Sequence, residues 1–530
     1  MDKLLLTQIS ELLGRSNQAG LKILYDDSGL SLKYPKGKVI DPGILDELRL
    51  HKQNVIEYLK NMKSEKDFSE LHSDWSIPKV VRNGRDYYAV TPVQNYWLDD
   101  SLDAEFKNED NIHGSVIQNY EILGDFDVTT FNKSIAYLVQ RHESLRTTFH
   151  KLDDSYFLRV EDESFYTSEY FDLSGMAEGD EKIVQLSRFA DHKFDLENGP
   201  IFLVRLIQLK VKKYILSFKF HHVVFDTMSD EIFLRDLYVS YIAFAKNLLP
   251  NLPALRYQYK ENLALINYQV ELHGRSQWVY WNSTFPKLPT KRVPIRGIRS
   301  LKRKMSDRIS KCEQFEFSTD ASRKLRALTI DFSTSLFVIL QATFKSFVFS
   351  STRVNDILIR TDVFGRDFQS CNNQIGCYAK GVFVRTVFDE DESFATAIPR
   401  VKKANEDMQE HRALTLMQFL HEKLLAEGNP SDTFWAIQYE DTDRSSYSRS
   451  DLSRMPLPVD FTVSAIEGPS NILIPIDINL KFINTANNIR LRVDYDSSVL
   501  DKTAITNFIG EYLSHIKRVL KEKQRPLIGI

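Results

Sequence analysis

From about residue 81 onward the chain alternates long stretches of helical periodicity with short β-rich runs, and this alternation constrains the fold more than any other feature. FNKSIAYLVQRHESLRTTF reads as an amphipathic helix over about 130–144, YILSFKFHH as a strand, and SDEIFLRDLYVSYIAFAK as a helix starting near Ser229 or Asp230. SLFVILQATFKSFVFS reads as an apolar helix and DILIRTDVF as a buried strand. Elements in this order bury their apolar faces against one another as α/β layers. The chain has 530 residues, and a soft prior of roughly 100–200 residues per domain gives about three folding units.

Residues 1–62 have a different character. Leu5, Ile9 and Leu12 recur at helical spacing, with Leu4 and Leu13 widening the stripe, and Gly20 ends it. Leu21, Ile23 and Tyr25 then alternate with polar residues, Asp26–Gly29 supplies turn chemistry, and Leu30, Leu32 and Tyr34 alternate again, which is the pattern of a hairpin. Asp41–Pro42 opens a helix, because the aspartate accepts an orphan N–H and proline is tolerated at the first helical position. Ile44, Leu45, Leu48, Val55, Ile56 and Leu59 continue its apolar face. The expected unit is a small α+β domain with the order helix, hairpin, helix, helix. Residues 63–80 lack periodicity, carry many charges and read as a linker that includes Trp75.

Composition excludes several classes of function. The formal net charge of −3 gives no general attraction to nucleic acid or to an anionic membrane. No run of about 18 apolar residues occurs, so no membrane span is expected, and the first residues lack the pattern of a signal peptide; the three cysteines, read as reduced thiols, give the expectation of a cytoplasmic protein. Cys312, Cys371 and Cys377 read as reduced thiols, without the His–Cys spacing of a metal site. With no glycine-rich phosphate loop either, no bound metal or cofactor is expected.

The sharpest local feature is Phe220-His221-His222-Val223-Val224-Phe225-Asp226-Thr227. A strand ends in two histidines, an aspartate follows, and a helix starts. Imidazole titrates near pH 6.5 in model peptides, so it can accept or share a proton at neutral pH. A nearby carboxylate can fix the loop or the ring. Taken alone, the same residues also read as one core histidine and an Asp226 that caps the following helix.

Other segments set this motif in context. In order along the chain stand Thr91-Pro92-Val93-Gln94-Asn95-Tyr96-Trp97-Leu98 and Arg141-His142-Glu143-Ser144-Leu145-Arg146-Thr147-Thr148-Phe149. Phe194-Asp195-Leu196 with Gly199-Pro200, Tyr280-Trp281, and Ile375-Gly376-Cys377-Tyr378 through Arg385 follow. With the double histidine they resemble the ordered motifs of non-ribosomal peptide synthetase condensation domains, in the chloramphenicol acetyltransferase-like superfamily. The resemblance covers about 81–525. It implies an α/β fold of two chloramphenicol acetyltransferase-like lobes in a V, expected at 81–255 and 256–530, with the histidine motif at the cleft and carriers approaching either mouth of a tunnel.

It also implies the chemistry. His222 would face the reacting centre, where an amine attacks a carrier-bound acyl thioester, and would take a proton or orient the amine. Asp226 and His221 would stand beside it, Asp226 holding the loop through an arginine, for which Arg366 is a candidate, and His221 packing inward. Arg146 would be a further support. The acyl chain would arrive on the phosphopantetheine arm of a partner carrier.

Three departures from the family pattern concern substrate class more than fold. Thr227 stands where the motif ends in Gly, Lys380 where Asn is usual, and Thr415-Leu416 follows His411 where Pro-Phe is usual. Thr227 requires a loop with negative φ or a different pocket. Lys380 is either solvated or lines a tunnel mouth.

Residues 1–62 resemble the TubC-type docking domain through Gly20-Leu21-Lys22-Ile23-Leu24, Lys33-Tyr34-Pro35-Lys36-Gly37 and His51-Lys52. The hairpin edge could pair with the C-terminal tail of an upstream synthetase subunit, with Lys33, Lys36 and Lys38 suited to an acidic tail. Lysines on an edge strand also protect it from aggregation. No adenylation, carrier or thioesterase motif is found. If the chain is a whole gene product, the expected reaction is terminal release of a peptide onto a free amine, as in rhabdopeptide-type assembly lines. If it is a fragment, chain elongation with a carrier-bound aminoacyl acceptor is equally expected. Epimerisation, ester formation and a catalytically degenerate carrier-binding or partner-binding domain are the other readings. Heterocyclisation is disfavoured, because it uses aspartates where this chain has His221 and His222.

Overall fold

The computed structural model describes residues 21–26, 29–33, 41–56, 77–98, 114–162, 167–175, 192–285, 310–412, 434–441, 461–466, 476–498 and 500–528, together with Leu12 and Ser16. The helix expected around Leu5 and Ile9, most of the 63–80 segment with Trp75, Lys36, Lys38 and Thr415-Leu416 lie outside these residues.

The expected hairpin and the helix after it are present. β1 (Lys22–Asp26) and β2 (Gly29–Lys33) pair antiparallel with Ile23 opposite Leu32 and Asp26 opposite Gly29. α1 (Pro42–Leu50) starts where Asp41 Oδ1 accepts the Gly43 N–H at 2.8 Å, with proline at the first helical position. Ile44, Leu48 and Val55 are buried.

The next elements build one layer pair. β3 (Lys79–Arg82) begins inside the segment read as linker and pairs with β4 (Arg85–Ala89), which leads to α2 (Pro92–Leu98). β5 (Ser115–Gly124), α3 (Val128–Arg141), β6 (Thr147–Leu152), β7 (Ser155–Val160), β8 (Thr167–Asp172), β9 (Phe202–Lys210), β10 (Lys213–His221), α4 (Thr227–Ala245) and α5 (Tyr259–Thr284) follow. The order β3-β4-β7-β6 forms a four-stranded sheet. α3 buries Phe131, Ile135 and Leu138 in one core with α4 residues Ile232, Phe233 and Leu237 and with Ile122, Val204 and Leu216 of β5, β9 and β10. Each such side chain contributes about 1.5–3 kcal/mol on burial.

α3 ends earlier than its apolar period suggests. Arg141 is its last residue and His142 is extended, because Arg141 Nε (3.0 Å) and His142 Nε2 (2.9 Å) both reach the buried Asp236 Oδ2 on α4. Glu143–Arg146 then forms a single 3-10 turn.

The second layer pair contains β11 (Ser310–Glu316), α6 (Thr319–Asp331), α7 (Leu336–Thr352), β12 (Asp356–Val363), β13 (Lys380–Val387), α8 (Phe394–Glu410), β14 (Phe434–Asp441), β16 (Ile476–Asn484), β17 (Ile489–Asp496) and α9 (Lys502–Lys521), with β15 (Phe461–Ala465) between β14 and β16 in sequence. Its sheet has the order β11-β17-β16-β14-β12-β13, with parallel pairing only at β12–β14 and β14–β16. α7, capped by Ser335, is buried along almost its whole length, which explains a helix without a polar face.

β15 belongs to the other sheet. It pairs with β5, Val463 opposite Ile122, and completes the order β15-β5-β10-β9-β8. Phe461 packs edge-on against Phe126 and Tyr241 there. A third cluster joins the two halves: Val90, Leu98, Val223, Val224, Tyr259, Leu263, Cys371 and Tyr378 share one core, and the double-histidine loop passes through it. Among the described residues no single helix is long and apolar enough to cross a membrane.

Candidate active site at the double-histidine loop

β10 ends at His221, and His222–Val224 makes one 3-10 turn before α4. This places the two imidazoles in different surroundings. His221 is buried; its Nδ1 accepts the Val223 N–H at 3.2 Å and its ring meets the edge of Phe194. A methyl group on Gly114 would stand 2.8 Å from His221 Nε2, so the glycine admits the ring. Burial, with smaller effects from His222 and Lys219, pushes its pKa down to about 3. His221 is therefore a buried, packed imidazole that burial keeps neutral at neutral pH.

His222 is only partly buried. Its backbone N–H donates to Gly114 O at 2.5 Å. Its ring lies flat on the indole of Trp97, with centroids 4.4 Å apart and planes 9° apart. Nδ1 has no hydrogen-bond partner on another described residue. Burial lowers the pKa. The ring's contact with its own backbone carbonyl and the charges of Asp226 and Asp362 oppose that, Arg360 adds to it, and the net direction is below the ordinary histidine value. A neutral imidazole at neutral pH can accept a proton.

Asp226 caps α4 and also ties the two halves together. Oδ1 accepts from Ser229 N (2.8 Å), Ser229 Oγ (2.8 Å) and Arg366 Nη2 (3.0 Å), and Oδ2 accepts from Tyr378 N (3.0 Å) and Ala379 N (3.1 Å). Five donors on a buried carboxylate offset its desolvation and leave it no free geometry for proton transfer. Asp226 is thus both the cap of α4 and the partner of Arg366. The helix starts at Thr227, earlier than expected, because the aspartate acts as its cap. Arg366 Nη1 also donates to Cys371 O and to Gln374 O (2.7 Å), and the guanidinium lies 4.4 Å from the Tyr378 ring centroid. Ser229 Oγ completes the seam: it lies 2.8 Å from both Asp226 Oδ1 and Gly376 O, sharing its one proton between them, and accepts the Gly376 N–H (2.9 Å).

The remaining residues singled out in the sequence sort as follows. Thr227 is exposed and has no positive φ, so the loop accommodates it without strain. Lys380 is buried, not solvated; Nζ pairs with Asp367 Oδ2 at 3.2 Å. Burial raises the Asp367 pKa, but Lys380 and Arg412 outweigh it and hold the carboxyl below its ordinary range. Arg146 makes no hydrogen bond to the histidines or to Asp226: Nη1 donates to Glu161 O at 2.6 Å and Nη2 stands 3.7 Å from Glu143. Its place as a support of the site is therefore corrected to a brace between the 3-10 turn after α3 and the end of β7. Lys33 closes β2 opposite Lys22.

Several site residues received no role from the sequence. Gln94 Nε2 reaches Val223 O (3.3 Å) and Tyr259 Oη (3.0 Å), and Tyr259 Oη donates to Val223 O at 3.2 Å, so α2 and α5 hold the histidine turn from beneath. Trp97 and Gln94 were inside a recognised motif, and their spacing on α2 was the available signal. Arg360 and Asp362 stand two residues apart in a strand that carries the apolar run Ile357-Leu358-Ile359 before them, and that charge pattern was the signal passed over.

This arrangement sets a partly exposed imidazole at a strand end, on a loop held by residues from both α/β halves of the chain. The chain belongs to the condensation-domain family of non-ribosomal peptide synthetases, amide-forming acyltransferases: the sequence pattern of the condensation domain matches residues 85–528. Bacitracin synthase 1 of Bacillus licheniformis is 24% identical over 413 residues, 74% of this chain and 7% of that protein. The chain thus spans only a small part of the length of such relatives. The complex of the X-domain and OxyB from teicoplanin biosynthesis superposes with a TM-score of 0.67 at 17% identity, covering 86% of this chain and 97% of the neighbour. The first condensation domain of the calcium-dependent antibiotic synthetase, in complex with a substrate analogue, gives 0.62 at 16% identity, covering 84% and 99%.

Proposed function

We propose that this chain joins a carrier-bound acyl or peptidyl thioester to an amine, with a free amine as the acceptor in a terminal release step. The observation that supports it is His222: a partly exposed, neutral imidazole, flat on Trp97, on a turn whose backbone is fixed from both halves. In this reading the amine nitrogen attacks the thioester carbonyl and the new C–N bond forms. The nitrogen's proton passes to His222. The tetrahedral intermediate collapses, the C–S bond breaks, and the thiolate of the phosphopantetheine arm leaves and takes a proton.

A thioester is already activated, so holding the two reactants in register is the main task of the protein, worth about 7–11 kcal/mol of barrier in well-oriented reactions. Asp226 and Arg366 serve this by fixing the loop, and His221 by packing behind it. Lys380 orders the segment around Asp367 and does not itself meet the acyl arm.

The donor arrives on the carrier of an upstream synthetase subunit, whose C-terminal tail adds to the edge of the β1–β2 hairpin that Lys33 closes, with Lys36 and Lys38 following in sequence as further positive charge for an acidic tail. The reaction is placed in the cytoplasm, where the thiols stay reduced. Residues 1–62 act as the docking unit, and 81–255 and 256–530 as the two lobes, with β15 crossing between them.

The test mixes the purified protein with an upstream carrier loaded with peptide and offers free amines, alcohols or a carrier-bound aminoacyl group, with the product read by mass spectrometry. Amide from a free amine is the expected result. Product only from the carrier-bound acceptor overturns terminal release, and no product from any acceptor overturns the enzyme reading.

A further inference from the structure

One hydroxyl joins the elements that carry the two members of the Trp97–His222 stack. Tyr259, the first residue of α5, is fully buried. Around its Oη stand Gln94 Nε2 at 3.0 Å, Cys377 N at 3.0 Å and Val223 O at 3.2 Å. The proton positions follow. Gln94 Oε1 accepts the Thr91 N–H at 3.0 Å, so the amide nitrogen faces the tyrosine and donates to it. The Cys377 N–H is also a donor. Both lone pairs of the hydroxyl are then used, and its one proton goes to Val223 O. Burial raises the Tyr259 pKa well above the ordinary tyrosine value, so that proton stays in place.

Each bond leads to a different element. Val223 follows His222 in the 3-10 turn, so a bond to its carbonyl fixes the turn that carries the imidazole. Gln94 and Trp97 lie three residues apart on α2 and are neighbours on one helix face. The same hydroxyl therefore holds the helix that carries the indole. Cys377 belongs to the second half of the chain, in the segment from Arg366 to Ala379 that also reaches Asp226. That segment closes tightly on the tyrosine: a methyl group on Gly376 would stand 2.3 Å from Tyr259 Cε2. Without the hydroxyl, the Cys377 N–H would be buried with no acceptor and Gln94 Nε2 would lose one, a cost relieved only by movement of both groups.

Building on the amide-forming reading, we propose that Tyr259 is a positioning residue for His222: its hydroxyl keeps the imidazole in register with the Trp97 indole and ties that register to the second half of the chain. It touches no reacting atom and acts through the Val223 carbonyl and Gln94.

The test is Tyr259→Phe, read in two ways. The first needs no turnover. The His222 ring lies flat on the indole, whose ring current shields its protons, and NMR of protein with labelled histidine reports that shielding. The variant should lose part of it, moving the His222 ring signals downfield. The second is amide formation per folded protein. There kcat should fall by about 10–100-fold, the scale on which a misplacement of about 1 Å acts. The KM values for loaded carrier and amine should change by less than about twofold, since no substrate contact is removed. Tyr512→Phe is the control: it removes an equally buried hydroxyl, 2.6 Å from Thr343 Oγ1 in the second core, and should leave both readouts at wild-type values. Should Tyr259→Phe not fold, Gln94→Met, which removes the arm to α2, should move the same signals downfield and lower kcat by about threefold or more. Wild-type ring signals or wild-type kcat in the folded test variant overturn the proposal, as do the same changes in Tyr512→Phe. Displaced ring signals with no turnover even in the wild type overturn the amide-forming reading alone.

Discussion

Arg366 Nη2 stands 3.0 Å from Asp226 Oδ1, and the side chains are only 4% and 1% exposed. The pair joins the start of α4 to the loop between β12 and β13, so the loop that carries His222 is fixed by groups from both halves of the chain.

Breaking one side of a buried pair leaves an uncompensated charge, which costs about 3–5 kcal/mol. Arg366→Met should therefore lower stability by about that amount in a urea titration and reduce amide formation at least in parallel. A loss under about 1 kcal/mol would show that the four other donors to Asp226 carry the lock without the arginine.

Gly365 precedes this arginine with φ +61°, and a methyl group there would stand 1.8 Å from Tyr378 O. Gly365→Ala must displace the β12–β13 loop. The expected outcome is a fall in melting temperature together with loss of turnover, measured by calorimetry and product assay; a wild-type melting curve would contradict the close approach.

The flat contact between Trp97 and His222 predicts an electrostatic effect. An aromatic face favours a cation over it by about 0.5–2 kcal/mol, so the stack favours imidazolium. Trp97→Leu should shift the His222 pKa further down, seen by NMR of the labelled ring, and lower kcat about tenfold, while Trp97→Phe retains most of both. An unchanged pKa in a folded Trp97→Leu protein would contradict this role.

Burial holds both His221 and His515 at a pKa of about 3, below the value of about 6.5 in an unfolded chain. The unfolded state thus binds protons first as pH falls. Stability is full above about pH 6.5 and is lost as pH drops towards 3, at about 1.4 kcal/mol per pH unit for each histidine. Denaturant titrations at pH 7, 6 and 5 should show this decline, and His515→Gln should remove one share of it. His222, lowered in the same direction, should place the acidic limb of kcat/KM below pH 6.5 when a weakly basic amine is the acceptor.

Much of this site was legible in the sequence. The strand leading into the double histidine, read one residue too long, the cap at Asp226 and the candidate partner Arg366 could be read because each rests on local chemistry or an ordered motif. Two things could not. The end of α3 is set by Asp236, a residue far along the chain on α4, which no local period reports. The return of β15 to β5 is likewise a long-range pairing. The place of Lys380 stayed open between a solvated lysine and a tunnel-mouth lysine, because its partner Asp367 and the close turn at Gly365 exist only in three dimensions.

The most direct test is His222→Ala, assayed with a peptide-loaded carrier and a free amine. The variant should melt within a few degrees of wild type, still bind the loaded carrier, and lose amide formation by at least two orders of magnitude, the low end of what general acid–base catalysis supplies at about 10²–10⁴-fold. Turnover at the wild-type rate in that variant would contradict the assignment of His222 as the residue at the reacting centre.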